Sequence, residues 1–211
     1  MSVSSTHLDL RDEDVLRMLA VQQDDAAAFE DLMLRYQGRV LTLLRHIVNS
    51  RDLAEDLTQE VFLRMFRARK SYKPEAKFTT WLFTIANNVA LNALRTRSRK
   101  PEVQLGTTTQ DTGQSDAFLA ADNAIVASSS TIPARQIDKI EMRQMVHLAL
   151  ESLGERQRTA VLLNKFEGMS YLEIADVLEM SPQAVKSLLC RARINLRDAL
   201  EGYVEKGRKV R

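Results

Sequence analysis

Between Lys100 and Arg135 the chain runs for 34 residues without a Lys or Arg. The stretch carries four acids, Glu102, Asp111, Asp116 and Asp122, and nine Ser or Thr, including Thr107 to Thr109 and Ser128 to Thr131. Pro101 opens it and Pro133 closes it. Such a composition buries too little apolar surface to fold alone. A structureless loop of this length is uncommon inside a compact domain. The chain therefore divides into residues 1–100, a linker over 101–134, and residues 135–211, and each flanking part is large enough for its own small core.

Across the 211 residues, 45% are hydrophobic and 27% charged, which is ordinary for a soluble globular protein. The longest apolar run is five residues, Ala117 to Ala121, so no membrane-inserted segment is expected. The first residues, MSVSSTHLDLRDED, lack the apolar core of a secretory signal. Cys190 is the only cysteine, and His7, His46 and His147 stand far apart, so neither a disulfide nor a zinc site is expected. The reading is a cytoplasmic protein without metal or cofactor. Seven Gly and four Pro leave few strand-bounding turns, while Ala, Leu, Glu, Arg and Gln favour helix. The fold class that follows is all-α, as two helical domains joined by a flexible linker.

The first part reads as a helix bundle. Asp12 or Asp14 can cap a short helix carrying Val15, Leu16 and Leu19. Asp24 can cap a longer one with Phe29, Leu32, Tyr36, Val40, Leu43 and Ile47 at steps of three and four. A third helix spans about 52–70, with Asp52, Glu55 and Asp56 at its start and Arg64 to Lys70 at its end, as the helix dipole favours. Lys73-Pro74-Glu75 reads as a turn. A fourth helix runs from Thr79 or Thr80 to Arg97, burying Phe78, Trp81, Leu82, Ile85 and Val89.

Residues 62–83 hold six of the twelve aromatics, together with Arg64, Arg67, Arg69, Lys70, Lys73 and Lys77 and a single acid, Glu75. Rings that stack on bases, with cations that follow phosphates, suit single-stranded nucleic acid. Aromatics at helical spacing also build cores. That second reading is preferred for Phe62, Phe66, Phe78 and Phe83, while Tyr72 and Trp81 stay open between the two. Asn88, Asn92, Arg95 and Arg99 form a polar stripe on the fourth helix. Asn is a poor helix former, so two on one exposed face need a reason. Base contacts by Asn and phosphate contacts by Arg would supply one, and an ordinary wet face is the alternative.

In the second part, Ile137 to Leu153 and Glu155 to Phe166 read as helices. Ser170-Tyr171-Leu172-Glu173 matches a capping box. Glu179-Met180-Ser181 forms a turn, and Ser181-Pro182 starts a last long helix with Pro at its first position. Ile174, Ala175, Leu178, Met180, Val185 and Leu188 are placed to pack this pair. The opposite face of the second helix shows Gln183, Lys186, Ser187, Cys190 and Arg191, a set suited to a major groove.

Four segments occur in order: DEDVLRMLAVQQDDAAAFEDLMLRY, DLTQEVFLRMFRA, KFTTWLFTIANNVALNALR and EGMSYLEIADVLEMSPQAVKSLLCRAR. Together they resemble the extracytoplasmic-function (ECF) sigma factors of the bacterial sigma-70 family. The resemblance covers nearly everything outside residues 101–133 and the last few. It implies an initiation factor whose first domain binds core RNA polymerase and melts the −10 element, and whose second binds the −35 duplex. An anti-sigma factor is implied as a further partner. Asp56, Leu57, Gln59 and Glu60 match the core-binding motif. Asn88 matches a residue at the pocket for a flipped −10 base, and Tyr72, Lys77, Trp81, Asn92 and Arg95 join it as −10 candidates. Gln183, Lys186, Ser187, Cys190 and Arg191 take the −35 face. Cys190 stands where an aromatic is common and Leu188 where Arg is common, which bears on −35 preference rather than docking mode. The resemblance also threads the linker through the polymerase cleft.

Two other classes compete. A free-standing regulator would use the helix-turn-helix alone, usually as a dimer, yet residues 1–100 show no ligand-pocket signature. An enzyme acting on nucleic acid would need clustered carboxylates or a nucleophile–base pair. The acid clusters Asp24-Asp25 and Asp52/Glu55/Asp56 both sit at helix starts, so no enzyme is expected.

Overall fold

The computed structural model describes residues 12–99, 142 and 144–208. The linker expectation, the start of the helix expected from Ile137, and the side chain of Arg99 lie outside the described residues.

Helix α1, Glu13–Gln22, begins at Asp12, whose carboxylate accepts from the Asp14 amide at 3.0 Å. Helix α2, Ala26–Val48, is capped by Asp25 rather than by the expected Asp24. Asp25 accepts from the Ala28 amide at 3.1 Å, whereas Asp24 has φ 67° and turns its carboxylate to Arg69 and Lys70, at 2.8 and 2.6 Å. Asn49, left-handed at φ 51°, ends α2. Helix α3, Arg51–Ala68, passes into a 3-10 turn over Arg69–Ser71. Helix α4 is Phe78–Arg99. It starts before the expected Thr79 because the amides of Thr80 and Trp81 both reach back to the Lys77 carbonyl.

Leu32, Tyr36, Val40, Leu43 and Ile47 are buried along α2 and meet Val61, Met65, Phe78, Leu82 and Phe83 in one core. Phe62, Phe78 and Phe83 are core rings, as their spacing suggests. Phe66 departs from that expectation and is 39% exposed. It sits near the end of α3, where Phe29 covers an edge at 5.1 Å and the Arg69 guanidinium lies 3.9 Å over its face.

The second domain contains α5 over residues 144–151, α6 at Glu155–Lys165, α7 at Tyr171–Leu178 and α8 at Pro182–Arg208. Both halves of the capping box form: Glu173 N donates to Ser170 Oγ at 3.3 Å, and Ser170 N donates to Glu173 Oε2 at 2.7 Å. Ser181 Oγ accepts from the Ala184 amide at 3.2 Å and so caps α8. The turn between them places Glu179 at φ 52°, a left-handed conformation that costs a side chain more than glycine. Ile174, Ala175, Leu178 and Val185 are buried, while Leu188 lies at the edge and Leu189 beside it takes the fully buried position.

The two domains share a continuous core. α4 packs on α7, and α2 packs on α6. The buried Asn87 amide donates to the Val177 carbonyl at 3.4 Å. Arg158 gathers the Leu150, Glu151 and Leu153 carbonyls at the end of α5 and also reaches the His46 carbonyl of α2 at 3.1 Å.

Asp14 is the buried polar centre of the first domain. Tyr36 Oη donates to it at 2.6 Å, Arg35 Nη1 at 2.8 Å and Arg17 Nη1 at 3.2 Å. Burial first, and the Asp14 carboxylate second, hold the Tyr36 phenol well above its usual range. Asp14→Ala removes the acceptor for a buried hydroxyl and is expected to cost about 1–3 kcal/mol. Added to Tyr36→Phe it is expected to cost less than the two singles summed. Urea unfolding followed at Trp81, the single tryptophan, measures the cycle; additive costs would refute the coupling.

Candidate nucleic-acid and polymerase interfaces

On α3, Thr58 and Val61 face the core and Leu57 packs at its edge, leaving Asp56 and Gln59 exposed. Glu60 is half-buried and accepts from Arg64 Nε at 2.6 Å. The four residues assigned to polymerase binding thus form a polar ridge with one apolar shoulder.

The segment between α3 and α4 is anchored to the α1–α2 corner. Gln22 Nε2 donates to the Lys70 and Tyr72 carbonyls at 3.3 and 3.2 Å, and Lys70 Nζ donates back to the Gln22 carbonyl at 2.7 Å. Hydrogen bonds from Lys70 and then Arg69 hold the Asp24 carboxylate below its ordinary range. With Arg64 on Glu60, three of the six bases counted as phosphate candidates are therefore engaged within the first domain.

The open question over Tyr72 and Trp81 resolves unevenly. Tyr72 is 3% exposed, lies edge-on to Trp81 with centroids 4.8 Å apart, and has a hydroxyl without a hydrogen-bond partner. Burial, with a contribution from Asp12, pushes its phenol up to about 12. Its face is closed to a base in this conformation, whereas Trp81 is half-exposed.

Along α4, Asn88 is half-buried while Asn92 and Arg95 are exposed. They line a groove whose other wall comes from the second domain, through Glu155, Arg156, Thr159 and Glu179. Lys77, at the mouth of α4, pairs with Glu173 Oε1 at 2.8 Å. Burial opposes ionisation of Glu173. The Lys77 ammonium and the Ser170 backbone amide overcome it and hold the carboxyl below its ordinary range.

On α8, Gln183, Lys186, Cys190 and Arg191 are exposed, opposite the buried Val185, Leu189 and Ala192. Ser187 is half-buried and donates its hydroxyl to the Gln183 carbonyl at 3.1 Å. The structure brings this set together on one solvent-facing strip.

Sequence reasoning passed over Asn87, Arg39 and Glu167. Arg39 donates through Nε to Glu167 Oε2 at 2.8 Å and makes a second contact through Nη2. Nothing in the local pattern marks these residues, because each is explained by a partner in the other domain. No group of His, Cys, Asp or Glu suited to a metal occurs among the described residues. No described helix is long and apolar enough to cross a membrane.

Comparison with known proteins matches one segment in each half of the chain. Residues 24–100 match the family described as Sigma-70 region 2, and residues 143–196 match Sigma-70, region 4. The RNA polymerase sigma-H factor of Pseudomonas aeruginosa is 35% identical over 181 residues, covering 86% of this chain and 90% of the relative. The ECF RNA polymerase sigma-E factor of Escherichia coli is 35% identical over 173 residues, covering 82% and 86%. Among solved structures, CnrH in complex with the cytosolic domain of CnrY aligns with TM-score 0.63 at 21% identity, over 90% of this chain and 97% of that one. The sigma factor RpoE of Bartonella quintana, in complex with the anti-sigma factor NepR, aligns with TM-score 0.59 at 21% identity, over 82% and 96%. At that identity the structural likeness speaks for the fold. With both regions matched in order and relatives 35% identical across most of its length, the chain belongs to the ECF subfamily of the sigma-70 family, the factors that direct RNA polymerase to initiate transcription at specific promoters.

Proposed function

We propose that α3 docks on core RNA polymerase through Asp56, Leu57, Gln59 and Glu60, that Asn88, Asn92, Arg95, Lys77 and Trp81 handle the opened −10 strand, and that α8 reads the −35 element as duplex. The observation that carries this reading is the segregation of surfaces. The α8 strip is rigidly presented by two consecutive capped helices, and it is separate from the Asn and Arg edge of α4. One surface suits a groove and the other suits an unstacked strand. Tyr72 enters only as the buried support of Trp81. RpoE of Bartonella quintana, similar in fold, is seen in complex with an anti-sigma factor, and the same class of partner is proposed here. Run-off transcription with purified core polymerase on a genomic fragment library tests the whole assignment. Specific transcripts are expected only when this chain is added.

Gln59→Ala with Glu60→Ala is expected to weaken core-polymerase binding while changing folding stability by less than about 0.5 kcal/mol, as for surface substitutions generally. A double variant with unchanged polymerase affinity would remove α3 from the interface.

Asn88→Ala is expected to slow promoter opening and to spare duplex −35 binding, since the amide acts only after a base leaves the stack. Permanganate footprints of normal intensity would count against it.

Lys186 and Arg191 are both exposed, and five residues on a helix turn them about 140° apart. They cannot serve one base pair. Lys186 lies nearer the helix start, the end that usually reaches base edges. Lys186→Ala is expected to relax preference at one −35 position by about 1–3 kcal/mol, and Arg191→Ala to weaken all sequences alike and lower the salt slope by about one. Affinities for single-base −35 variants across a salt series decide between the roles.

A further inference from the structure

We propose that the corner between α1 and α2 positions the strand-reading end of α4: Gln22 and Asp24 clasp the segment that carries Tyr72, and Tyr72 sets the face of Trp81. Both are positioning residues for the opened −10 strand and do not touch it. The inference rests on the reading of Trp81 as a −10 residue. It adds what holds that ring in place.

The segment needs an anchor from outside. Between Met65 and Phe78 the only buried residue is Tyr72, so apolar packing holds this stretch at a single point. The Tyr72 hydroxyl makes no hydrogen bond among the described residues, so polar anchoring reaches it through its carbonyl. Carbonyls past a helix end lack donors within the helix. Gln22 Nε2 has two hydrogens to give, and it meets the carbonyls of Lys70 at 3.3 Å and Tyr72 at 3.2 Å. Lys70 Nζ returns a bond to the Gln22 carbonyl at 2.7 Å and donates another to Asp24 Oδ2 at 2.6 Å. Arg69 Nε donates to the other oxygen, Oδ1, at 2.8 Å.

The corner is itself rigid. The amides of Gln23, Asp24 and Asp25 return to the Ala20 and Val21 carbonyls, and Met18 and Val21 are fully buried. Asp24 stands at φ 67°, a left-handed conformation that is strained for a residue with a side chain. Glycine takes such a turn without strain, so contacts of the carboxylate have to offset the strain, and those contacts are Arg69 and Lys70. Exposed ion pairs add little to overall stability. What these five bonds fix is the course of one segment.

From Tyr72 the constraint passes to Trp81. Their rings meet edge to face with centroids 4.8 Å apart, and Phe78 lies 6.2 Å from Trp81. Phe78 is fully buried and stays with the core. The half-exposed Trp81 therefore depends for its angle on the ring that the clasp controls. Stacking on an unpaired base requires that angle to be held.

Two variants test the clasp. Gln22→Met keeps the side-chain length and removes the amide. Asp24→Gly removes the carboxylate and suits the left-handed backbone. Each full-length variant is assembled with core polymerase and offered a pool of randomised dodecamer single strands, and the retained strands are counted and sequenced. Acrylamide quenching of Trp81, the single tryptophan, reports its exposure in the free chain. Far-ultraviolet circular dichroism and core-polymerase affinity check folding and assembly, and either variant decides the question alone. Quenching is expected to rise, and enrichment of the strands preferred by the wild type to fall several-fold, with polymerase affinity unchanged. Asp24→Gly also raises net charge by one, which by itself draws more strand to the complex. Lost selection without lost total retention is thus the mark of positioning rather than charge. Selection as in the wild type, whether or not quenching or total retention rises, overturns the clasp. Lost selection with unchanged quenching overturns the route through Trp81. If the wild-type complex selects no strand beyond core polymerase alone, or Trp81→Ala selects as the wild type does, the −10 reading of the ring fails and this inference fails with it.

Discussion

Helix α4 has to satisfy two neighbourhoods at once. Over 22 residues it gives Phe78, Leu82, Phe83 and Val89 to the core of the first domain and Asn87 to the second. What remains is a narrow polar edge with Asn88, Asn92 and Arg95. A helix with apolar neighbours on two sides has little freedom to roll, so the position of those three side chains is set by packing far more than by their own contacts. That is the condition a site for an unstacked base requires, because geometry rather than affinity must supply the discrimination.

The same economy governs Glu173. One carboxylate closes the helix start of α7 and meets a cation of the other domain. Its lowered protonation range follows from those contacts against the opposing effect of burial. The sign is that of a depressed carboxyl: stability from the ionised form is present above its unfolded value and is lost as pH falls through the folded one. Acid would loosen the helix cap and the domain contact together.

Much of this was legible in the sequence, where the cause was local. The stripe on α2, the capping box at Ser170, the Ser181-Pro182 start and the exposure of the polar set on α8 are each written within one or two turns of chain, and all appear where spacing places them. The errors have a shared origin. Asp24 looks like a helix cap until Arg69 and Lys70 arrive from 45 and 46 residues away and Asp25 takes the cap. Phe66 fits a core period, but the helix ends before anything covers it fully. Leu188 packs at the edge of the core as its spacing suggests, but the adjacent Leu189, which the pattern did not single out, takes the fully buried position. Asn87 is invisible for a stronger reason: its partner is a backbone carbonyl, and carbonyls leave no mark in a sequence.

Formal charge along the chain differs from the charge the folded surface presents. Residues 62–83 look like a basic, aromatic surface for nucleic acid, yet Arg69 and Lys70 neutralise Asp24, Arg64 meets Glu60 and Lys77 meets Glu173. Each pair is exposed enough to be weak by itself, but each also changes what a strand would encounter. Arg69 and Lys70 are tied by hydrogen bonds that hold the segment leading to Tyr72 in place, so recruiting them would cost that anchorage. Lys77 is bound by a carboxylate on a separate domain, so its pairing depends on the domain contact. Cations with identical formal charge thus fall into a structural class and an exchangeable one. For the proposed −10 edge, cations tied into the first domain's own fold contribute least to counterion release, so the expected salt dependence follows the remaining cations rather than all the bases in the sequence.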